Sequence, residues 1–452
     1  MLKNIKRFTL LLFVLLFSIV IVGCKKPSNG DEIPPVNTKD YRTEVRQDVE
    51  EVVLEELELG FKFFWETANT EEGTAGYGLI PDRYNTHTNA PGTIASIASI
   101  GYGLSVIPIG IEYGWITKEE GYDRALKTLN TLWNLNTTHG FYYHMVNRIN
   151  GNREWNSEVS VIDTAICVNG AITVGQYFGG EILKLAHDIY KRVEWDWYYD
   201  KDANKFYMGY TPEKGFEGYW NEYAEQLMIY VLAAGSPTHP VGKQAYNFMR
   251  FSSKKADATS NYDSFYMTYT GSLFVYQFSH AWIDFRNIED DKGVNWFENS
   301  VNASKAAIAY AVKNSSNFKT YSEVSWGLTA CDGPKGYNGP YGSGPSSGNA
   351  HQSDGTVPPC GAIGSIVFTP TESIAAMQNY RTYDRLWSKY GFKDAYNLDA
   401  TSTGWYATDI IGIDKGISVL MIENYISGFI WNMFMDNKYV QAGLEELGFI
   451  EV

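Results

Sequence analysis

The sequence predicts an all-α protein, namely an (α/α)6 barrel with short β-hairpins and long loops at its rim. Helical periodicity recurs from about residue 48 onwards, whereas strand patterns are few and short. Eleven segments carry the helical pattern and a twelfth is a weaker candidate, and twelve helices paired into hairpins make such a ring. No break in composition divides residues 46–452, so we expect them to form a single domain.

The helices follow from apolar residues at the helical period, separated by loops rich in Gly, Pro and aromatic residues. Val53, Leu57 and Phe61 share one face of the first helix. Thr117 followed by Glu120 has the spacing of a capping box at the start of the third. In chain order the predicted helices are 52–67, 93–113, 117–135, 157–177, 181–195, 220–234, 240–251, 296–314, 371–390, 416–435 and 438–447, with the weaker candidate at 272–285.

Strands are predicted only at 140–146, 205–209 and 264–269, each between two helices. The segment 321–369 differs from the rest, because its Gly- and Pro-rich stretch 337–348 is incompatible with any regular element. Long loops in compact domains are usually functional or disordered. Trp, Cys and Phe residues flank this stretch, so we expect an ordered loop at the rim.

The N-terminus has the pattern of an export signal. A basic start, an apolar stretch and a small residue occupy residues 1–23. Residues 21–24, Ile-Val-Gly-Cys, have the pattern of a bacterial lipobox, which predicts lipidation of Cys24. No Asp follows Cys24, which favours the outer membrane over the inner one. The Pro- and Asn-rich residues 24–45 are predicted to be a flexible tether.

The composition indicates which kinds of molecule the protein binds. The formal net charge is −15, which argues against nucleic acid because phosphate backbones bind basic surfaces. The chain holds 33 Tyr, 23 Phe and 13 Trp, and aromatic rings together with carboxylates suit a neutral polyhydroxylated ligand such as a sugar. Many of these rings are expected simply to fill the core. The only membrane contact that we expect is the lipid anchor.

Several common types of site are absent from the sequence. Nucleotide-binding, zinc-protease and nucleophile-elbow motifs are missing, and the seven His residues are scattered, so no cofactor and no metal are predicted. Cys167, Cys331 and Cys360 form no CxxC pair. A disulfide between the last two is permitted in an exported protein, although buried free cysteines are the commoner alternative.

Acidic residues in apolar surroundings are the main candidates for chemistry. Asp163 lies in the apolar start of a predicted helix, next to Ile162, and buried acids are rare unless paired or functional. Glu158 precedes it and is either a solvated first-turn acid or a substrate contact. We expect Asp163 to face a cleft.

A second candidate is the pair Glu222 and Glu225. Their i,i+3 spacing puts both on one face of the predicted helix 220–234. Glu225 leads directly into an apolar run, where the charged form of a carboxyl is disfavoured and the group stays protonated, as a general acid must. Two solvated glutamates at a helix start are an equally good interpretation of the pattern alone.

Asp414 opens a very apolar helix in the string Asp-Ile-Ile-Gly-Ile-Asp at 409–414. An N-cap is the simplest role, but a capping aspartate at a barrel rim can also act as a base. Asp82 and Arg83 lie in a predicted loop, where they either hold sugar hydroxyls or form an ordinary surface ion pair. Two carboxyls and aromatic platforms are the minimum for glycoside hydrolysis.

Several strings resemble the glucoamylase-like family whose characterised branch is glycoside hydrolase family 144. They are Tyr-Ala-Glu-Gln-Leu-Met-Ile-Tyr at 223–230, Ala-Gly-Ser-Pro-Thr-His-Pro at 234–240, Gly-Ile-Asp-Lys-Gly at 412–416 and Leu-Met-Ile-Glu-Asn-Tyr at 420–425. The similarity extends from about residue 54 to residue 448. It implies an (α/α)6 barrel without a metal. It also implies hydrolysis of linear β-1,2-glucan to sophoro-oligosaccharides with inversion at the anomeric carbon.

The resemblance also implies roles for individual residues. The Tyr-x-Glu-x-Met pattern of the family matches at Glu225, with Leu227 in place of Met, and indicates Glu225 as the acid. The Ile-Asp-Thr-Ala pattern places Asp163 in the cleft. Asp414 matches the base, and Lys415 stands where the family has Gln, a cation that could alter the pKa of the base.

The resemblance therefore implies an exported β-1,2-glucanase, endo- or exo-acting, in which Glu225 is the acid and Asp414, directly or through a water or sugar hydroxyl, activates water. Asp163 is the third catalytic candidate. The predicted substrate contacts are Asp82, Arg83, Glu158, Trp220, Glu222, Trp326, Trp405, Tyr406 and Asp409. We expect a monomer. The alternatives are an α-glucan hydrolase and a non-catalytic glycan-binding lipoprotein.

Overall fold

Helices dominate the regular structure of the protein, which a computed structural model describes for residues 33–452. The helices are α1 (Glu51–Thr67), α2 (Ile97–Glu112), α3 (Lys118–Asn134), α4 (Val161–Phe178), α5 (Gly180–Lys191), α6 (Leu227–Ala234), α7 (Gln244–Ser252), α8 (Trp296–Lys313), α9 (Pro359–Ile363), α10 (Pro370–Arg381), α11 (Gly412–Ser427), α12 (Phe429–Met435) and α13 (Lys438–Leu447). Short 3-10 turns occupy Trp195–Trp197, Leu273–Tyr276, Phe278–Ala281 and Asp384–Leu386. The predicted signal at 1–23, Cys24 and the first part of the tether lie outside the described residues. From residue 33 onwards the predicted tether packs on the domain, because Tyr41 is buried and Arg42 pairs with Glu423, so this part of the prediction was wrong.

The strands are short, and all named pairs are antiparallel. They are β1 (Arg83–Asn85), β2 (Ala90–Pro91), β3 (Ile94–Ser96), β4 (Thr137–Thr138), β5 (Phe141–Tyr142), β6 (Met145–Asn147), β7 (Val159–Ser160), β8 (Tyr199–Asp200), β9 (Lys205–Thr211), β10 (Gly215–Tyr219), β11 (Ile288–Glu289), β12 (Cys331–Gly333), β13 (Gly336–Asn338), β14 (Trp387–Ser388), β15 (Gly391–Phe392), β16 (Tyr396–Asn397), β17 (Trp405–Tyr406), β18 (Asp409–Ile411) and β19 (Ile450–Glu451). β1 lies between β18 and β2, and β9 lies between β10 and β7 and also pairs with β8. The other pairs are β3–β6, β4–β5, β11–β19, β12–β13, β14–β15 and β16–β17.

The predicted helices are found with shifted ends, and the capping box at Thr117 and Glu120 is confirmed. The predicted helix 416–435 is two helices, because Gly428 between α11 and α12 adopts a left-handed conformation with φ 66°. The predicted helix 371–390 ends at Arg381. The candidate at 272–285 forms 3-10 turns, and the loop segment 321–369 contains α9 and the pair β12–β13. In place of the predicted strand 264–269 there is a single β-bridge, between Lys255 and Tyr266.

The core is built around α2 and α4, which are apolar and buried on nearly all sides. Glycine allows these two helices to approach closely. A Cβ atom added at Gly101 would lie 2.3 Å from the carbonyl oxygen of Ile166, and one at Gly170 would lie 2.0 Å from the carbonyl oxygen of Gly101. Residues 33–452 form one compact unit. Within this range we find no helix with the length and apolar character needed to cross a bilayer.

A buried ion pair joins the first described helix to α11. The Lys415 ammonium donates to Glu56 Oε1 and, over 3.0 Å, to the carbonyl oxygen of Phe392. The backbone N–H of Phe392 donates to Glu56 Oε2 over 2.9 Å. Both side chains are almost completely buried, so each charge has only the other as a compensating group. Lys415 therefore holds α1, α11 and β15 together.

Candidate active site

One cavity of about 810 Å³ collects acidic and aromatic side chains from distant parts of the chain. Glu225, Asp163 and Asp414 all line it. Four of the predicted substrate contacts line it as well, namely Asp82, Arg83, Glu158 and Trp220. A cavity of this size with converging polar groups is the usual form of a small-molecule site.

Short strands position the two aspartates. β7 runs directly into α4 and β18 directly into α11, so Asp163 and Asp414 are each the third residue of a helix. Ser160 holds Asp163 in place, because its hydroxyl accepts from the Asp163 N–H over 3.1 Å and donates to Asp163 Oδ2 over 2.5 Å. The N-terminal end of a helix favours a negative charge in its first turn. Both aspartates are buried apart from a few per cent of their surface.

Glu225 lies in a turn before α6, and not on the helix that the sequence predicted. The Gln226 side chain accepts from the Ala224 N–H over 2.7 Å and donates to the Glu222 carbonyl over 2.8 Å, so it replaces helical hydrogen bonds in this segment. Ser279 fixes the turn by donating to the Glu225 carbonyl oxygen over 2.7 Å. The prediction that Glu222 and Glu225 share a helix face was therefore wrong, and Glu222 does not line the cavity.

The electrostatics of Glu225 suit a proton donor. Burial raises its pKa to about 7, and the negative charge of Asp163 contributes to this increase. Its carboxyl group makes no hydrogen bond with another side chain of residues 33–452, which leaves the proton available to a ligand in the cavity.

Asp414 lies against a second buried acid, Asp394, which sequence reasoning missed. Burial raises the pKa of Asp414 to about 7, while hydrogen bonds from Asp394 and the Cys360 thiol act in the opposite direction. The pKa of Asp394 is well above its ordinary value because of burial and the nearby charges of Asp414 and Asp332. Asp394 therefore holds the proton of the pair and donates a hydrogen bond to Asp414. A small pocket behind the cavity is lined by Asp394, Asp414 and Cys360.

Lys415 does not act on the base in the way that its position in the sequence suggested. Its ammonium is directed towards Glu56, into the interior. The groups that chiefly set the pKa of Asp414 are its own burial, Asp394 and Asp332. The thiols of Cys331 and Cys360 are both free and buried, so the disulfide alternative is not realised.

His144 links two of the acids in the cavity. Its Nδ1 lies 2.9 Å from Glu158 Oε1 and its Nε2 lies 3.7 Å from Asp163 Oδ1. Burial lowers the pKa of His144, but Asp163 and Glu158 outweigh burial and raise it to about 9. The imidazole is therefore protonated at neutral pH. In residues 33–452, only these three side chains form a group with metal-ligand atoms close together, within 4.8 Å of one another.

Arg83 is the centre of a second charged group. Its NH1 donates to both carboxylate oxygens of Asp332, over 3.0 and 2.8 Å, and lies 3.4 Å from Asp409 Oδ2. Its Nε lies 3.4 Å from Asp82 Oδ2. Pairing of β1 with β18 puts Arg83 opposite Ile411, directly before α11. Asp409 thus supports Arg83 beside the cavity and is not one of the lining residues.

The aromatic predictions are only partly met. Trp220 lines the cavity. Trp326 is fully buried, so it has no face to offer a sugar and the prediction was wrong. Trp405 packs against a separate cluster with Cys331, Tyr341 and Ala395, and Tyr406 stacks on Tyr396. The rings that do line the cavity and that the sequence did not single out are Trp155, Phe274, Phe278 and Tyr337.

The fold and the site define a helix-rich protein with an acid-lined cavity that can donate and accept protons near neutral pH. The family model described as "Putative glucoamylase" matches residues 217–438. Over these residues the chain is similar to this glucoamylase-like family.

The relatives are named as glucan-acting enzymes. The chain is 29% identical over 432 residues to the exo β-1,2-glucooligosaccharide sophorohydrolase (non-reducing end) of Parabacteroides distasonis, over 86% of this chain and 57% of that protein. It thus spans little more than half the length of that curated relative. A "putative glucoamylase" from Bacteroides uniformis superposes with a TM-score of 0.77 and 28% identity, over 90% of this chain and 99% of the other. An endo-β-1,2-glucanase from Chitinophaga pinensis, in complex with sophorotriose and glucose, has a TM-score of 0.77 and 27% identity, over 89% and 99%.

Proposed function

We propose that the protein is a glycoside hydrolase that cleaves linear β-1,2-glucan by an inverting acid/base mechanism. The observation that carries this proposal is that Glu225 and Asp414 line one cavity, each with a pKa raised to about 7. A general acid must be protonated and a general base ionised at the same pH, and two such groups titrating near 7 allow this at neutral pH.

In the proposed reaction Glu225 donates its proton to the glycosidic oxygen as the bond from that oxygen to the anomeric carbon breaks. A water molecule attacks the anomeric carbon from the opposite side of the ring. Asp414 takes the proton that this water loses, directly or through a water or sugar hydroxyl, so the anomeric configuration inverts. Asp163, Asp82 and Arg83 are in the cavity to orient the sugar hydroxyls.

The choice of glucan rests on the relatives. Both the curated relative and the Chitinophaga structure are named for β-1,2-linked glucans, and one acts from a chain end while the other is named an endo-enzyme. We propose β-1,2-glucan as the substrate and sophoro-oligosaccharides or sophorose as products. The family description favours one alternative, an α-glucan.

The test is a product profile of the purified protein on linear β-1,2-glucan and, in parallel, on soluble starch. A spread of sophoro-oligosaccharides from the earliest time points would establish an endo-glucanase, and sophorose alone would establish an exo-enzyme. Products from starch with none from β-1,2-glucan would replace the proposal by the α-glucan alternative.

We further propose that an (α/α)6-barrel catalytic domain at 46–452 follows a signal at 1–23, a lipidated Cys24 and a tether. The lipobox and the lack of an Asp after Cys24 support a lipoprotein of the outer membrane, which we propose to be a monomer. Cys24→Ala should move the full-length protein from the membrane fraction into the soluble fraction and abolish labelling with radioactive palmitate. Unchanged labelling of Cys24→Ala would contradict this anchor.

A further inference from the structure

Trp155 differs from the other tryptophans of the chain in its exposure. The chain has 13 Trp residues, all in the described part, and Trp155 is the exposed one among them, with 67% of its surface accessible. It also lines the cavity that holds Glu225 and Asp414. An indole ring in water forgoes the apolar burial that the other tryptophans have. Because Trp155 lies at the mouth of the cavity, a ligand bound there would bury its indole ring.

The backbone under Trp155 is strained. Residues 154–157 form a turn closed by a hydrogen bond from the Ser157 N–H to the Glu154 carbonyl, over 2.9 Å. Its two central residues have positive φ, 53° at Trp155 and 50° at Asn156. This is the pattern of a type I′ turn, which favours Gly, Asn or Asp at both positions. Asn156 meets this preference, whereas a bulky residue such as Trp155 with positive φ is an outlier.

The turn is held rigidly by one arginine. Arg153 donates from Nε to the Ser157 carbonyl over 2.7 Å and from NH2 to the Asn156 carbonyl over 2.8 Å. The same guanidinium forms a two-point ion pair with Glu213, with N–O distances of 2.7 and 3.1 Å. Glu213 lies in the connection between β9 and β10, so Arg153 links the turn to the β9–β10 hairpin. Strained backbone persists where its surroundings determine it in this way, and such residues cluster at ligand sites.

We infer that Trp155 is a stacking platform for a pyranose ring of the bound glucan, at a subsite at the mouth of the cavity. This inference rests on the proposed function and names a residue that sets affinity for the chain. A flat indole covers the C–H face of a sugar ring while the hydroxyls remain free. Asn156, Lys214 and Glu217 also line the cavity and offer polar partners for those hydroxyls. Trp155 therefore contributes to binding of a glucan chain and not to bond cleavage.

The test compares Trp155→Ala, Trp155→Phe and Trp155→Asn on β-1,2-glucans of graded length. We expect Trp155→Ala and Trp155→Asn to raise KM for long chains roughly 3- to 10-fold, the effect of one aromatic contact, with kcat within about twofold of the unaltered protein. Trp155→Phe should recover part of the affinity. Phe251→Ala is the matched control, because Phe251 is an exposed aromatic residue, 90% accessible, outside this cavity.

Thermal stability gives the second readout. Asn suits positive φ, so Trp155→Asn should raise Tm although it weakens substrate binding. A purely structural Trp155 would give a lower Tm. An active Trp155→Ala variant with unchanged KM on every chain length, or with a loss of kcat alone, would overturn the inference and leave the proposed function standing. No hydrolysis of β-1,2-glucan by the unaltered protein would remove the proposed function and this inference with it.

Discussion

Asp394 and Asp414 lie together in a buried pocket behind the cavity, and Asp394 keeps its proton when Asp414 is ionised. The backbone N–H of Asp332 donates to Asp394 Oδ2 over 2.6 Å, and no N–H or hydroxyl donor in residues 33–452 reaches Asp394 Oδ1. Two carboxyl groups in such contact cannot both be ionised. The proton remains on Asp394, whose pKa is raised well above its ordinary value, and Asp414 is left as the anion that can act as a base.

This pair predicts the effect of substitutions at Asp394 on the pH profile. Asp394→Ala removes a hydrogen bond that lowers the pKa of Asp414, so that pKa should rise and the acidic limb of kcat/KM should move upwards by about one pH unit. Asp394→Asn keeps a neutral donor and should leave the limb in place. The measurement is kcat/KM against pH for both variants. Equal profiles for Asp394→Ala and the unaltered protein would contradict a role for the proton on Asp394.

Glu225→Gln should reduce kcat by roughly 10²–10⁴-fold, because the amide cannot protonate the leaving oxygen. Glu222→Gln is the matched control, since Glu222 is three residues away and outside the cavity. We expect that control to retain near-normal turnover. The assignment of the acid would fail if Glu225→Gln also turned over normally.

The negative charge of Asp163 should affect the basic limb of the profile of kcat/KM against pH. It helps to raise the pKa of Glu225 to about 7, so Asp163→Asn should lower that pKa and move the basic limb to lower pH. Turnover should fall as well, because Asp163 lies in the cavity. Asp123→Asn, at an exposed position on α3, serves as the control and should leave the limb unchanged. A basic limb that does not move would show that Asp163 acts on the substrate alone.

Lys415→Gln introduces the residue that the family pattern has and leaves Glu56 buried without a cation. Removing one member of a buried pair should lower the free energy of unfolding by about 3–5 kcal/mol. Lys415 lowers the pKa of Glu56, so its loss raises the folded-state pKa further above the unfolded value of about 4.3. Stability of the variant should therefore fall as pH rises from about 4.3 through the new folded-state pKa, measured by urea denaturation at pH 5 and pH 8.

The double variant Glu56→Gln, Lys415→Gln tests the cause of that loss. It removes both charges, so most of the stability should return and the added pH dependence should vanish. A double variant as pH-sensitive as the single one would show that Glu56 is not the responsible group.

Most helices could be predicted from the sequence because the patterns that indicate them involve residues close together in the chain. The apolar period of α1 and the capping box of α3 lie within a few residues of one another. The start of α6 was misplaced because the Gln226 side chain takes hydrogen bonds that the helix backbone would otherwise make. The spacing of apolar residues contains no information about such a bond. The acid Asp414 at the start of α11 was found, since an acid before an apolar helix is itself a local pattern, although the helix begins at Gly412 and not at the predicted residue 416.

The parts of the site that the sequence missed depend on contacts between distant segments. Asp394 follows Lys393 in a string without a distinctive pattern, and its burial arises from packing against α11 and β12. His144 gains its partners from Glu158, directly before β7, and from Asp163 in α4. Composition could not separate Trp326, which is fully buried, from Trp155, which is exposed, since both lie outside predicted helices or at their edges.

The ion pair between Glu56 and Lys415 can form only after most of the chain has been synthesised. The two residues are 359 positions apart, and ribosomes add about 5–20 residues per second, so roughly 20–70 s pass between their syntheses. During that interval the part of α1 that will contact Val419 has nothing to cover it. A chaperone that holds α1 until the last tenth of the polypeptide has been made would therefore keep this apolar face covered.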